Sequence, residues 1–202
     1  MPRSRLLSAG PFLGLALLAP APLLAACPET LAPGIALVFD DGTRSRLTPG
    51  AAPGTVIEQT RFDGGEDGYN AQGHHGLFDI EIIDVEGGRL VAESAEKSQY
   101  RAGTPEIPQE GTQGLVLEVD VGAGRDQFER RLVVSSGAYA PVDLGGCSYQ
   151  AMPVTLEWND PDEQSVSFHL YVPALGTAIL IGYEDAEGRD DYRVESISVL
   201  AD

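Results

Sequence analysis

Apolar and polar residues alternate with a period of two along most of the chain. Phe78, Ile80 and Ile82 alternate with Asp79 and Glu81. Leu115, Leu117, Val119 and Val121 alternate with Val116, Glu118 and Asp120. Val154, Leu156 and Trp158 alternate with Thr155 and Glu157, and Val166, Phe168, Leu170 and Val172 with Ser165, Ser167, His169 and Tyr171. Successive side chains on a strand point to opposite faces. Each pattern therefore predicts a β-strand with an apolar face on a core and a polar face toward water. No stretch beyond residue 26 carries a helical period.

Turn residues divide the predicted strands at short intervals. Asp41-Gly42 separates Ile35–Phe39 from Thr43–Thr48. Asp63-Gly64-Gly65-Glu66-Asp67-Gly68 closes Thr55–Phe62, and Glu86-Gly87-Gly88 links Phe78–Asp84 to Arg89–Ala95. Gly122-Ala123-Gly124 links Leu115–Val121 to Gln127–Ser135. Asn159-Asp160-Pro161-Asp162 links Met152–Trp158 to Ser165–Val172. Glu184–Asp191 links Thr177–Tyr183 to Tyr192–Leu200. Such hairpin-length links predict an all-β fold, a single antiparallel meander of about ten to thirteen strands. It would form a curved sheet, a partly closed barrel or a sandwich. The 24 glycines and 14 prolines suit that turn density. Residues 103–113 carry no alternation and are the expected mobile loop.

The first 26 residues follow a different pattern. Arg3 and Arg5 precede an uncharged apolar run from Leu6 to Leu24, which ends in Leu24-Ala25-Ala26-Cys27. Pro11, Pro20 and Pro22 argue against a stable spanning helix. The expectation is a cleavable export signal over 1–26 and a single β-rich domain over 27–202, located in the periplasm or cell envelope. Leu-Ala-Ala-Cys is also a lipobox, in which the Cys27 thiol would be acylated and tether the protein to a membrane.

Charge narrows the partners. The formal charge is −18 and becomes −20 without residues 1–26, which hold two arginines and no acid. Such a surface repels nucleic acid and anionic membrane. Membrane association is then expected only through a lipid on Cys27.

Cys27 and Cys147 are the two cysteines. In an oxidising compartment an even count points to a bridge. It would close a loop of roughly 120 residues, worth about 4–5 kcal/mol in the chain-entropy model. Acylation and bridging compete for the same sulfur. Only residues 28–34 separate Cys27 from the first predicted strand, a shorter tether than lipoproteins often have. Both readings stay open.

Chemistry-bearing residues are sparse. His74-His75, with Asp63, Glu66 and Asp67 upstream and His169 on the polar face of a predicted strand, form the candidate metal set. Adjacent strand residues point apart, and zinc-helix spacing is missing, so a solvent-facing loop is preferred. Asp63–Gly68 has the look of a calcium loop, but Gly65 and His74 fail at the third and twelfth positions, so a hairpin turn is preferred. Ser135-Ser136-Gly137 is no nucleophile elbow. The pairs Asp40-Asp41, Asp162-Glu163 and Asp190-Asp191 read as turn residues. Tyr149, Trp158, Phe168, Tyr171 and Tyr183 are core residues or, if the sheet closes around one, the lining of an apolar cavity.

Gly145-Gly146-Cys147-Ser148-Tyr149, Met152-Pro153-Val154, Tyr171-Val172-Pro173-Ala174-Leu175-Gly176 and the Cys27-Pro28 start together resemble a family of small exported alphaproteobacterial proteins of unassigned function. The resemblance implies secretion and a β-rich domain, and it favours pairing Cys27 with Cys147. It brings no activity, ligand or catalytic residue.

The expected function is a non-enzymatic binding or accessory module of the cell envelope, with no cofactor and with a small apolar molecule as candidate ligand. One alternative is a metal-dependent or hydrolytic enzyme using His74, His75 or His169. Another is a structural envelope lipoprotein.

Overall fold

The computed structural model of the chain describes residues 26–159 and 164–200. Its strands are β1 (Ile35–Phe39), β2 (Arg44–Pro49), β3 (Thr55–Arg61), β4 (Gly68–His74), β5 (Phe78–Glu86), β6 (Arg89–Leu90), β7 (Glu96–Tyr100), β8 (Leu115–Ala123), β9 (Asp126–Ser136), β10 (Ala140–Leu144), β11 (Cys147–Asn159), β12 (Gln164–Val172), β13 (Thr177–Glu184), β14 (Arg189–Asp191) and β15 (Val194–Val199). They form one antiparallel sheet, with no helix longer than a 3₁₀ turn among the described residues. The expected leader, apart from Ala26, lies outside the described residues, as do Asp162 and Glu163.

The strand path runs β14-β13-β12-β11-β9-β8-β7-β5-β4-β3-β2-β1-β15, with β10 and β6 as side branches on β11 and β5. This is the expected meander with one addition. The last strand returns to lie beside the first, pairing Ile35 with Val199 and Leu37 with Ile197. The sheet is not closed into a barrel. Its two end strands are nevertheless consecutive in sequence, joined by Tyr192-Arg193. Tyr192 N–H donates to the Ile181 carbonyl on β13 (2.9 Å), and Asp40 N–H, just past β1, donates to the Arg193 carbonyl (3.0 Å). The chain therefore brings both ends of the path together, and the sheet rolls up.

The strand count exceeds the expected one because several strands lack alternation. β4 reads Gly-Tyr-Asn-Ala-Gln-Gly-His and β14 reads Arg-Asp-Asp. The predicted strand Arg89–Ala95 is, in contrast, mostly absent. Only Arg89–Leu90 pairs, and Ala92–Ser94 form a 3₁₀ turn. Ser94 Oγ accepts from Asp84 N–H (2.8 Å) and donates to the Val91 carbonyl (2.8 Å), taking over groups a ladder would use. The loop 103–113 is pinned rather than loose. Pro105 and Pro108 are buried. Ser136 Oγ donates to the Gln109 carbonyl (2.5 Å), and Thr112 N–H donates to Ser136 Oγ (3.1 Å).

Two apolar clusters fill the roll. One gathers Ile35, Leu37, Leu47, Leu144, Tyr149, Val172 and Ile179. The other gathers Phe78, Val119, Leu132, Val134, Met152, Leu156 and Tyr171. β11 serves both by changing its buried face at Ala151-Met152, each fully buried. Its β10 ladder ends at Ala151, and its β12 ladder begins at Met152.

Cys27 and Cys147 sulfurs lie 2.05 Å apart, a disulfide distance. Beside them Tyr149 Oη donates to the Pro28 carbonyl (2.8 Å), fixing the start of the domain on β11. A sulfur committed to that bridge is not free for the acyl group of the lipidated alternative.

Candidate functional site

Two adjoining cavities run along the inside of the roll. The first, about 240 Å³, is lined by Leu37, Phe39 and Leu47 on one side and by Ile179, Leu180 and Tyr192 on the other. The second, about 230 Å³, is lined by Ala71, Asp79, Trp158, Ser167 and His169 among others. Glu58, Tyr69, Leu180 and Tyr183 belong to both linings, so the two cavities adjoin at these four side chains and together form the candidate cleft.

Two β-bulges aim polar side chains into this cleft. On β5, Gln72 faces Glu81 and Gly73 faces Asp79, which leaves Ile80 without a partner on β4. The extra residue shifts the alternation, so Asp79 and Ile82 both line the cleft. On β13, Phe168 faces Gly182 and His169 faces Leu180, which leaves Ile181 unpaired. Leu180 and Tyr183 thereby share the inner face, and the Ile181 carbonyl is free to accept from Tyr192. A bulge is the ordinary device for turning a side chain to the other face.

At the junction of the cavities Glu58 Oε1 accepts from Tyr69 Oη (2.8 Å) and Thr60 Oγ1 (2.7 Å). Ser45 Oγ and Thr60 Oγ1 are 2.6 Å apart, extending the chain of hydrogen bonds to β2. Burial, reinforced by the Glu58 charge, raises the Tyr69 hydroxyl well above the usual phenol value. Burial also pushes the Asp79 carboxyl up to about 7, with Glu58 adding to the shift. Tyr100 Oη donates to the Asp79 carbonyl (3.2 Å), and burial, then the Asp79 charge, raises that phenol as well. His169 Nε2 lies 3.0 Å from Ser167 Oγ, while its Nδ1 is buried without a partner. Burial lowers its imidazole to about 4, so the ring is neutral at pH 7.

The histidines weighed as a candidate metal set do not come together in one among the described residues. His169 was expected on a water-facing side of β12, but Ser167 and His169 face the cleft, and Tyr171 is buried in the core. His75 sits in the β4–β5 turn at φ 57, its ring edge-on to Tyr171 at 6.4 Å. His74 ends β4, and burial, then the neighbouring His75, lowers its pKa. No three His, Cys, Asp or Glu side chains form a metal-holding group among the described residues. The Asp63–Gly68 segment is a hairpin connection. Phe62 N–H donates to the Asp67 carbonyl (2.8 Å), and Asp67 Oδ1 accepts from Gly87 N–H (2.7 Å).

The five aromatics divide. Trp158 and Tyr183 line the cleft. Tyr149 and Tyr171 are core. Phe168 lies under the Arg189 guanidinium at 4.0 Å. Glu58, Tyr69 and Asp79 were not singled out from the sequence. The available signal was the interrupted alternation, Ile82-Ile83 after Phe78–Glu81 and the unbroken Ala178–Ile181 run, where the bulged strands lie.

A larger hollow of about 770 Å³ lies over β7–β9. Its charges already have partners: Lys97 with Glu81 (3.0 Å), and both Asp120 and Glu129 with Arg101. The interior cleft is the better candidate because its polar groups line a concave, largely apolar space.

No family model, curated protein or solved structure matches the chain.

Proposed function

We propose that this chain is an exported cell-envelope protein acting as a non-enzymatic binding module, with a small, largely apolar molecule held in the interior cleft. The observation that carries the reading is the pair of adjoining interior cavities that share Glu58, Tyr69, Leu180 and Tyr183 in their linings. The uncharged apolar run before Cys27 and the cysteine pair at disulfide distance support export to an oxidising compartment. The paired Cys27 sulfur supports a free rather than lipid-anchored form.

Native mass spectrometry of protein purified from its own host tests this reading. The expected result is retained ligand mass on the wild type. It should be lost in Leu180→Trp, where the indole fills the shared stretch at a cost of about 1–3 kcal/mol. A wild type that emerges empty and takes up no more small ligand than Leu180→Trp overturns it.

A second reading follows from Asp79. A carboxyl raised to about 7, near a second carboxylate and in one cavity with an imidazole, suits proton transfer. It moves the hydrolytic alternative from His74, His75 and His169 to Asp79 and Glu58 with His169. Turnover of chromogenic glycosides or esters by the wild type, lost in Asp79→Asn, would support it. Equal rates in the two proteins would end it.

A further inference from the structure

The charges around the cleft restrict what it can hold, granted that the cleft is the binding site. Asp41, Glu58 and Asp79 line the two cavities, and among the described residues no lysine or arginine does. His169, the one histidine in the lining, supplies no charge at neutral pH. Both donors to Glu58 go to Oε1. Oε2 and the Asp79 carboxyl accept from no described group. Around these acids the walls are apolar and aromatic: Leu37, Leu47 and Ile179 at one end, Trp158 and Tyr183 at the other.

A neutral hydrocarbon in this cleft would strip water from two carboxyls and return nothing to them. A bare metal ion would waste the apolar walls, and no ligating group of three side chains is present among the described residues. A protonated amine meets both needs. Its N–H groups donate to Glu58 Oε2 and to Asp79 in charge-assisted hydrogen bonds. Tyr69 and Tyr183, which belong to both linings, offer aromatic rings for cation–π attraction. Its hydrocarbon part lies along the apolar end.

We propose that the cleft binds a small organic cation, a protonated amine with an apolar body, its ammonium held between Glu58 and Asp79. This rests on the cleft being the functional site. The acidic surface, at a formal charge of −18, draws such cations toward the protein.

The inference also specifies a pH response. Glu58 on β3, Tyr69 on β4 and Tyr100 on β7 interact electrostatically with Asp79, and His169 on β12 and Tyr183 on β13 line the same cavity. None of them is cationic at neutral pH. An ammonium stabilises the ionised form of Asp79, so affinity for it falls as acidification protonates that carboxyl.

The test compares hexylammonium with 1-hexanol, which share a six-carbon tail, by calorimetric titration. The protein is the wild type, Glu58→Gln, Asp79→Asn and Leu180→Trp. The expected result is that hexylammonium binds the wild type about tenfold or more tighter than hexanol. It should lose about that factor in Glu58→Gln and in Asp79→Asn, and weaken as pH falls. Glu58→Gln keeps the Oε1 acceptor of Tyr69 and Thr60, and the wild-type comparison of the two probes needs no variant. Equal affinity for the two probes, unchanged by pH and by both acid substitutions but abolished in Leu180→Trp, overturns the cation inference and leaves the binding cleft standing. Failure of both probes to bind the wild type overturns both.

Discussion

Asp79 and His169 face the same cleft and couple stability to pH in opposite senses. The Asp79 carboxyl rises from 3.8 to about 7 on folding. The folded chain therefore holds this proton more tightly than the unfolded one, and stability falls as pH rises through that window. The His169 imidazole falls from 6.5 to about 4. Here the unfolded chain binds the proton more tightly. The stability it contributes is complete above 6.5 and is lost as pH drops toward 4. In the wild type the two slopes offset between those limits. The Asp79 slope spans on the order of 4 kcal/mol and the His169 slope on the order of 3 kcal/mol. Asp79→Asn should therefore unmask a stability that climbs with pH, and His169→Asn one that declines with pH. Urea unfolding of the three proteins at about pH 4.5, 6 and 7.5 checks this, and parallel curves would refute the assigned burial.

At the scale of elements, the strands that alternate were legible, whereas which of their faces lines the cleft was not. β1, β8, β12 and β13 lie within a few residues of their predicted bounds because half-buried strands carry their face in their side chains. β4, with two glycines, an asparagine and a glutamine, is held by its neighbours' ladders rather than by an apolar face of its own. The bulges at Ile80 and Ile181 invert the alternation around them. A sequence pattern read as a simple period of two thus sends Asp79 to water, whereas the bulge on β5 turns it inward; on β12 the alternation is unbroken, and it is the Ser167 and His169 face that lines the cleft. Cleft chemistry was missed for that reason.

The β4–β5 turn shows how tightly these elements dock. Ala178 N–H donates to the His75 carbonyl (2.8 Å). A Cβ on Gly76, at φ 64, would lie 2.6 Å from Thr177 Oγ1 and 2.9 Å from the Ala178 carbonyl oxygen. Gly176 has nearly the same φ, 66, with open space around it. Gly176→Ala should cost about 1–2 kcal/mol from backbone strain alone. Gly76→Ala should cost about 2 kcal/mol more, because it also pushes the turn off β13. Equal losses in guanidinium unfolding would show that the turn is not docked.

For the whole molecule, the covalent tie and the roll act together. The pair Cys27–Cys147 spans a sequence separation of 120 and anchors the start of the domain to the strand shared by both apolar clusters. C27S/C147S should lower unfolding free energy by about 4–5 kcal/mol in the chain-entropy model. The same loss should follow reduction of the wild type, and a loss near zero would mean the pair is unbridged in solution. All-β architecture, meander order and the competing fates of Cys27 were readable from alternation and cysteine count. The rolling of the sheet was not, because it depends on Tyr192-Arg193 joining two sheet edges that lie far apart along the strand path.

The central claim is that the inside of this roll is the binding site. Amide shift mapping by two-dimensional NMR, with hexylammonium titrated into the wild-type protein, addresses it most directly. Shifts should concentrate at Glu58, Tyr69, Ala71, Gly76, Asp79 and Leu180, while Ser98, Gly122 and Gln127 over the outer hollow stay still. Shifts confined to that outer hollow, or none at saturating hexylammonium, would contradict it.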